Sequence, residues 1–352
     1  MRRLFSVFLI ISVLLALCGC GNWFSEEYVS ITPHQGQGTQ AVLGQLSASS
    51  YPELYDALGA LIGAGEKRGI IVLSDLEEEV CKSYLEVAIK NATTLNPVGA
   101  YAVEHIDFEL GSNAGRLAAA VQIDYIRSKS DILRIKTVAD MDEAEMMIGQ
   151  ALGQVQSNLV LRVESYEQTD FTQLVHRVAD ENPSMVMQTP QVMAAVYPEQ
   201  GEDRLVELSF TYQTQRDELL YMKKLVEPIF TAAELSVQGN GSQREKYNQL
   251  YAFLMERYDY EYATSITPAY SLLQEGTGDC KAFACVYAAM CRQAGLECSI
   301  VTGTRNGQSW VWNKIVLNNS TYYVDLIASN QAGSLRILTA SELEGYVWSR
   351  EG

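Results

Sequence analysis

Gly276-Thr277-Gly278-Asp279-Cys280 is the stretch of this sequence best suited to chemistry. It puts a thiol in a glycine-rich turn directly before a run, 281–294, whose residues Phe283, Val286, Tyr287 and Met290 recur at helical spacing and which Gly295 closes. The first turn of a helix offers unpaired N–H groups and the positive end of the helix dipole. Both favour a thiolate and a neighbouring oxyanion. The glycines let the backbone approach a substrate closely. A buried cysteine at the head of a core helix has the same local signature, so the stretch alone leaves both readings open. A thiol nucleophile also needs a proton acceptor, and histidine is the usual one. The chain has 3 histidines, His34, His105 and His176, and none of them follows Cys280.

The other chemically able residues form no set. His105 lies in an alternating strand and His176 beside Val175 on a helix, where both read as structural or solvated. Cys280, Cys285, Cys291 and Cys298 contain no C-x-x-C pair and have no histidine near them, so neither a metal nor any other cofactor is expected. Cys285 and Cys291 sit among apolar residues on different faces of one helix. A disulfide among the four is compatible with an exported protein. Cys81, beside Val80, reads as a small buried apolar residue. With 26 Lys+Arg against 43 Asp+Glu the net charge is −17, which repels phosphate backbones and excludes nucleic acid as a partner.

The elements that must position Cys280 follow from periodicity. An amphipathic helix is expected over 244–257, followed by Tyr258, Tyr260 and Tyr262, which read as packing and rim residues. Strands are expected at 299–301, 310–317 and 322–327, the last two joined through Asn318-Asn319, a hairpin signal. A tyrosine-ended helix, Gly276-x-Gly278-x-Cys280, a helix closing in Ala294-Gly295-Leu296, then Trp312-Asn313 and Tyr322-Tyr323-Val324-Asp325: this order resembles the transglutaminase-like superfamily, a papain-type cysteine-protease fold, over residues 242–328. The resemblance implies a Cys-His-Asp triad for acyl transfer, with Cys280 at the nucleophile and Asp325 at the orienting acid.

The family string His-small-Trp-Asn reads Trp310-Val311-Trp312-Asn313 here, which sets Trp310 at the general base. Indole N–H only donates, and general acid–base help is worth about 10² to 10⁴ in rate. Asp325 either keeps a catalytic posture or binds the N–H of Trp310 or Trp312. What the resemblance then implies is a degenerate binding module, its old cleft lined by Trp310, Trp312 and Asn313, taking peptide or a peptidoglycan-related polymer. Two other readings stand beside it. One is an amidase, peptidase or transamidase using Cys280 with a non-histidine proton acceptor. The other is a purely structural surface protein.

The expected fold class is α+β: an α/β repeat-like region over 51–238, then a transglutaminase-like domain over 242–352. In the first region strands (69–73, 100–110, 117–126) and helices (75–91, 140–156) are followed by a second series: strand 158–163, helix 171–179, strands 192–197 and 205–212, and helix 216–235 with Pro228 as a kink. Asn96-Pro97 and Asn182-Pro183 punctuate the two series, which read as two copies of a β-α-β-β-α unit. At the other end, Arg2 and Arg3 precede an apolar run, 4–17, that is shorter than the ~20 residues of a spanning helix. Leu17-Cys18-Gly19-Cys20 resembles the bacterial lipoprotein signal. That resemblance implies a signal peptide over 1–19, lipidation of Cys20 and an extracytoplasmic body anchored to the bacterial cell membrane by its lipid. Residues 20–50, rich in Gly, Gln and Ser, read as a flexible tether.

Overall fold

The computed structural model describes residues 46–74, 77–237 and 239–349. The expected signal peptide, Cys20 and residues 20–45 of the expected tether lie outside them. Among the described residues no helix is long and apolar enough to cross a membrane. Helices and strands mix throughout, giving the expected α+β class.

The first sheet is built from β1 (Leu46–Ala48), β2 (Arg68–Leu73), β3 (Val103–Asn113) and β4 (Arg116–Tyr125), in the order β1-β2-β4-β3. β1 runs parallel to β2, and the other pairs are antiparallel. The last residues read as tether, 46–48, are therefore part of the sheet. Helix α1 (Tyr51–Gly63) crosses between β1 and β2, started by Ser50 as N-cap with Pro52 in the first turn. Helix α2 (Glu78–Thr94) and the short α3 (Pro97–Ala102) lead to β3. Leu54, Leu58, Ile62, Leu85 and Ala88 pack on Ile71, Ala119, Val121 and Ile123.

The second sheet repeats the first. A short turn of helix, α4 (Lys129–Ile132), leads to β5 (Lys136–Val138), β6 (Asn158–Val163), β7 (Gln191–Tyr197) and β8 (Arg204–Thr211), ordered β5-β6-β8-β7 with the same one parallel pair. Helix α5 (Met141–Gly153) crosses from β5 to β6, and α6 (Phe171–Glu181) leads from β6 to β7; their N-caps are Asp140 and Asp170. Each unit thus reads β-α-β-α-β-β. The helix expected to close the first copy opens the second. The Asn-Pro pairs also differ in role: Asn96 caps the start of α3, with its side chain accepting from Gly99 N–H at 2.9 Å, whereas Asn182 ends α6. The units meet where Tyr101, Ala102 and Ile132 cover Leu205 on the outer face of the second sheet, with Arg127 paired to Glu207 at 2.7 Å.

Helix α7 (Arg216–Ser236) runs unbroken through Pro228 and packs Val226, Phe230 and Ala233 into the C-terminal core rather than onto the second sheet. That core surrounds α8 (Gln243–Met255) and α10 (Cys280–Gln293), which are joined through the two-residue strands β9 (Asp259–Tyr260) and β10 (Thr277–Gly278), the short α9 (Pro268–Tyr270) and a π-helical turn, Ser271–Glu275. The helices lie on an antiparallel sheet ordered β13-β12-β11-β14: β11 (Cys298–Arg305), β12 (Gln308–Leu317), β13 (Ser320–Val324) and β14 (Tyr346–Val347). Helix α11 (Leu326–Gln331) follows β13. Tyr247 and Tyr287 are fully buried, yet each hydroxyl donates to a backbone carbonyl, Glu297 at 2.7 Å and Tyr247 at 2.9 Å, so the aromatic core leaves neither unsatisfied.

Candidate functional site

Cys280 is the first residue of α10. Asp279 is the N-cap, its carboxylate accepting from Ala282 N–H at 2.8 Å. Two devices set the turn before it. Gly276 takes a left-handed φ of 95°, and β10 pairs with β9 so that Gly278 lies opposite Tyr260. A side chain at Gly278 would come within 3.0 Å of Ala282 Cβ and 3.1 Å of Leu272, so the glycine also permits close packing of the turn on the helix.

The Cys280 thiol is half-buried and accepts backbone N–H groups of Val311 and Lys281. Those hydrogen bonds favour the thiolate. Burial outweighs them, and the charges of Asp279 and Asp325 act in the same direction as burial, so the thiol is pushed above its ordinary value. The helix terminus does lower it through the Lys281 N–H, but burial and the two carboxylates win.

Trp310 lies on β12 opposite Gly303 and is 7% exposed. Its Nε1 donates to Asp325 Oδ2 at 2.7 Å. Asp325, 5% exposed, is also the N-cap of α11: its Oδ1 accepts from Ala328 N–H at 2.9 Å. Tyr346 Oη donates to the same Oδ2 at 2.6 Å, and Arg305 Nη1 approaches it at 3.6 Å. Of the two postures the sequence left open for Asp325, the structure shows the one that binds the Trp310 N–H. The Arg305 guanidinium lies 5.2 Å from the Trp310 ring centroid and 5.6 Å from that of Tyr346. Tyr260 stands 6.0 Å from Trp310, ring to ring, and shares the neighbourhood of Cys280.

Trp312 and Asn313 do not line a cleft. Trp312 is 1% exposed and packed edge-on against Tyr346 and Trp348, and Asn313 is fully buried with its amide donating to Ala284 O at 2.8 Å. The expectation that they touch a ligand is corrected on that ground: they point to opposite faces of β12, Trp312 onto Tyr346 and Trp348 and Asn313 onto α10, and both faces are covered. Trp310 is nearly as buried, so it shapes the site more than it offers surface.

Cys285, Cys291 and Cys298 are buried free thiols, and burial pushes the thiols of Cys285 and Cys291 up. Among the described residues no group of His, Cys, Asp or Glu could hold a metal ion. His105 pairs with Asp107 at 2.9 Å on an exposed strand, and His176 is exposed on α6, one turn before the Asp180 that pairs with Lys281. Arg305 and Tyr346 were missed in the sequence. The aromatic run Tyr346-Val347-Trp348 near the C-terminus was the available signal.

Residues 231–327 match the transglutaminase-like superfamily. This segment is a transglutaminase-like domain. It runs from the last turns of α7 to the first turn of α11, and so holds Cys280, Trp310 and Asp325 but not Tyr346. No curated protein matches the chain significantly. Among solved structures it is similar to a TGase (10% identity, TM-score 0.27, 48% of this chain and 50% of that one). It is also similar to a candidate cysteine protease from Cytophaga hutchinsonii (10%, 0.27, 45% and 70%). A third likeness is to a candidate protease from Parabacteroides distasonis (10%, 0.24, 73% and 39%). The chain spans about half the length of the first of these.

Proposed function

We propose that this chain is a lipoprotein anchored outside the cytoplasm through Cys20, whose transglutaminase-like domain binds peptide or a peptidoglycan-related polymer at the bacterial cell envelope without triad catalysis. The observation that carries the reading is the hydrogen bond from Trp310 Nε1 to Asp325 Oδ2. In a triad that carboxylate would orient a histidine beside the thiol. Here an indole, which cannot accept a proton, takes the place of the base. Tyr346 and the Ala328 N–H occupy further lone pairs of Asp325. A thiol whose value is pushed up, with no histidine hydrogen-bonded to it among the described residues, lacks the usual means to start acyl transfer.

Full-length protein in detergent micelles should co-sediment saturably with isolated cell-wall polymer or an envelope peptide fraction, and Cys280→Ser should leave that binding unchanged. Retention by no fraction, or loss of binding in Cys280→Ser, would count against the reading. A second reading has one observation behind it: the Val311 and Lys281 N–H groups on Cys280 Sγ suit a thiolate. It requires ammonia release from a glutaminyl peptide by the wild-type chain, and none is expected.

A further inference from the structure

Beside Asp325 lies a cavity of about 500 Å³. Asp325, Tyr346 and Arg305 form its inner side, and the chain from Arg336 to Glu344 forms its outer wall. That wall lies beyond the matched residues 231–327. It is fixed at both ends. Tyr346 pairs with Arg305 across β14 and β11, and Leu338 bridges to Tyr323. Buried Ser329 accepts the Arg336 backbone N–H at 3.1 Å.

The lining holds two guanidiniums and three carboxylates. Two of the carboxylates are already served. Asp325 has the partners described above, and Glu342 is folded back onto the N–H and hydroxyl of Thr339, both at 2.8 Å. The guanidiniums are held more loosely, Arg305 by an ion pair and ring contacts and Arg336 by the charge of Glu342. Among the described residues the Arg336 side chain makes no hydrogen bond or ion pair. Arg305 approaches Asp325 only at 3.6 Å, longer than the roughly 2.7–2.9 Å of a charge-assisted hydrogen bond. A cavity whose two guanidiniums keep unused N–H donors suits a ligand group that brings two oxygens.

We infer that this cavity is a subsite for the carboxylate group of a peptide ligand, held by Arg305 and Arg336. The inference rests on the peptide-binding reading above and names the part of the ligand the domain grips. The one excess carboxylate disfavours anions in proportion to their charge, so a dianion such as phosphate is excluded more strongly than a single carboxylate. Glu344, which has no partner of its own among the described residues, can face an N–H group of the same ligand.

The test titrates whole protein with N-acetyl-alanyl-alanine, followed by the emission of Trp310, which Arg305 overlies. The free acid should give a saturable change, and its C-terminal amide should bind at least about tenfold more weakly. Arg336→Met should weaken the acid about tenfold, with Arg336→Lys between the two. Arg336 is exposed, so neither variant threatens the fold. No saturable response to the acid, or equal binding of acid and amide, would overturn the subsite. Acetate binding as tightly as the dipeptide would assign it to small organic acids instead of peptides, and phosphate competing as well as the dipeptide would overturn the carboxylate assignment. Cell-wall retention without dipeptide binding removes the subsite alone. Dipeptide binding without cell-wall retention removes the broader reading alone.

Discussion

Asp325 gathers Trp310, Tyr346, Arg305 and the Ala328 N–H onto two oxygens, so its removal is felt in several elements at once. Asp325→Asn can keep the Ala328 bond, but its amide would meet the Trp310 and Tyr346 donors with a donor of its own. Unfolding free energy should fall by about 1–3 kcal/mol in denaturant titration, the cost of unsatisfied buried polar groups, with no change in any hydrolytic rate. Trp310→His tests the same place from the other side. An imidazole that can carry a proton beside Cys280 would stabilise the thiolate, so alkylation of Cys280 near pH 7 should speed up by about tenfold or more. An unchanged rate would mean that burial alone holds the proton. Cys280, Trp310 and Asp325 were readable because a glycine turn, a helix period and a strand-end acid leave marks in sequence. Arg305 leaves none and Tyr346 only a short aromatic run: they are brought to Asp325 by strand pairing between residues some 40 apart, Arg305 with Tyr346.

Elements of strong period were legible and short ones were not. β6 has the bounds expected for it because Leu159, Leu161 and Val163 alternate inward without a break. β1 and β5 are three residues each, too short to show a period, yet each supplies the parallel edge of its sheet. Missing them shifted the phase of the repeat by one helix. Helix α1 also went unread, although Ser50 and Pro52 mark its start and Leu54, Leu58 and Leu61 its buried face. β14 is two residues long and depends on a glycine across from it. A side chain at Gly303 would collide with the Val347 carbonyl and come within 2.8 Å of the Trp312 ring. Gly303→Ala should therefore free the C-terminal strand. Proteolysis after the residues around 335–349 should quicken, and the Tyr346–Asp325 bond should be lost with them.

Across the whole molecule the second unit and the transglutaminase-like domain are tied at the Cys280 helix. Lys281 pairs with Asp180 of α6 at 2.8 Å, Arg292 donates to the Glu181 carbonyl, and Val155 and Met187 enter the C-terminal core. The turn that carries Cys280 is thus held from both sides, a scaffold suited to presenting a fixed surface. The same core sets how the chain responds to alkali. Burial pushes up the thiols of Cys280, Cys285 and Cys291 and the phenols of Tyr247, Tyr287 and Tyr346, with Tyr212 raised to about 12. Above the unfolded values of about 8.5 for Cys and about 10 for Tyr the unfolded chain sheds protons that the folded chain keeps. From neutrality to about pH 8 these groups leave stability unchanged, and it should fall as pH rises beyond that, as urea midpoints measured from pH 7 upward would show. The central claim, a transglutaminase-like fold whose thiol is not activated, is tested most directly by peptide-resolved alkylation of Cys280 at pH 7 in the folded chain and in the chain unfolded by denaturant. Slower labelling in the folded chain is the result expected here; faster labelling in the folded chain would contradict it.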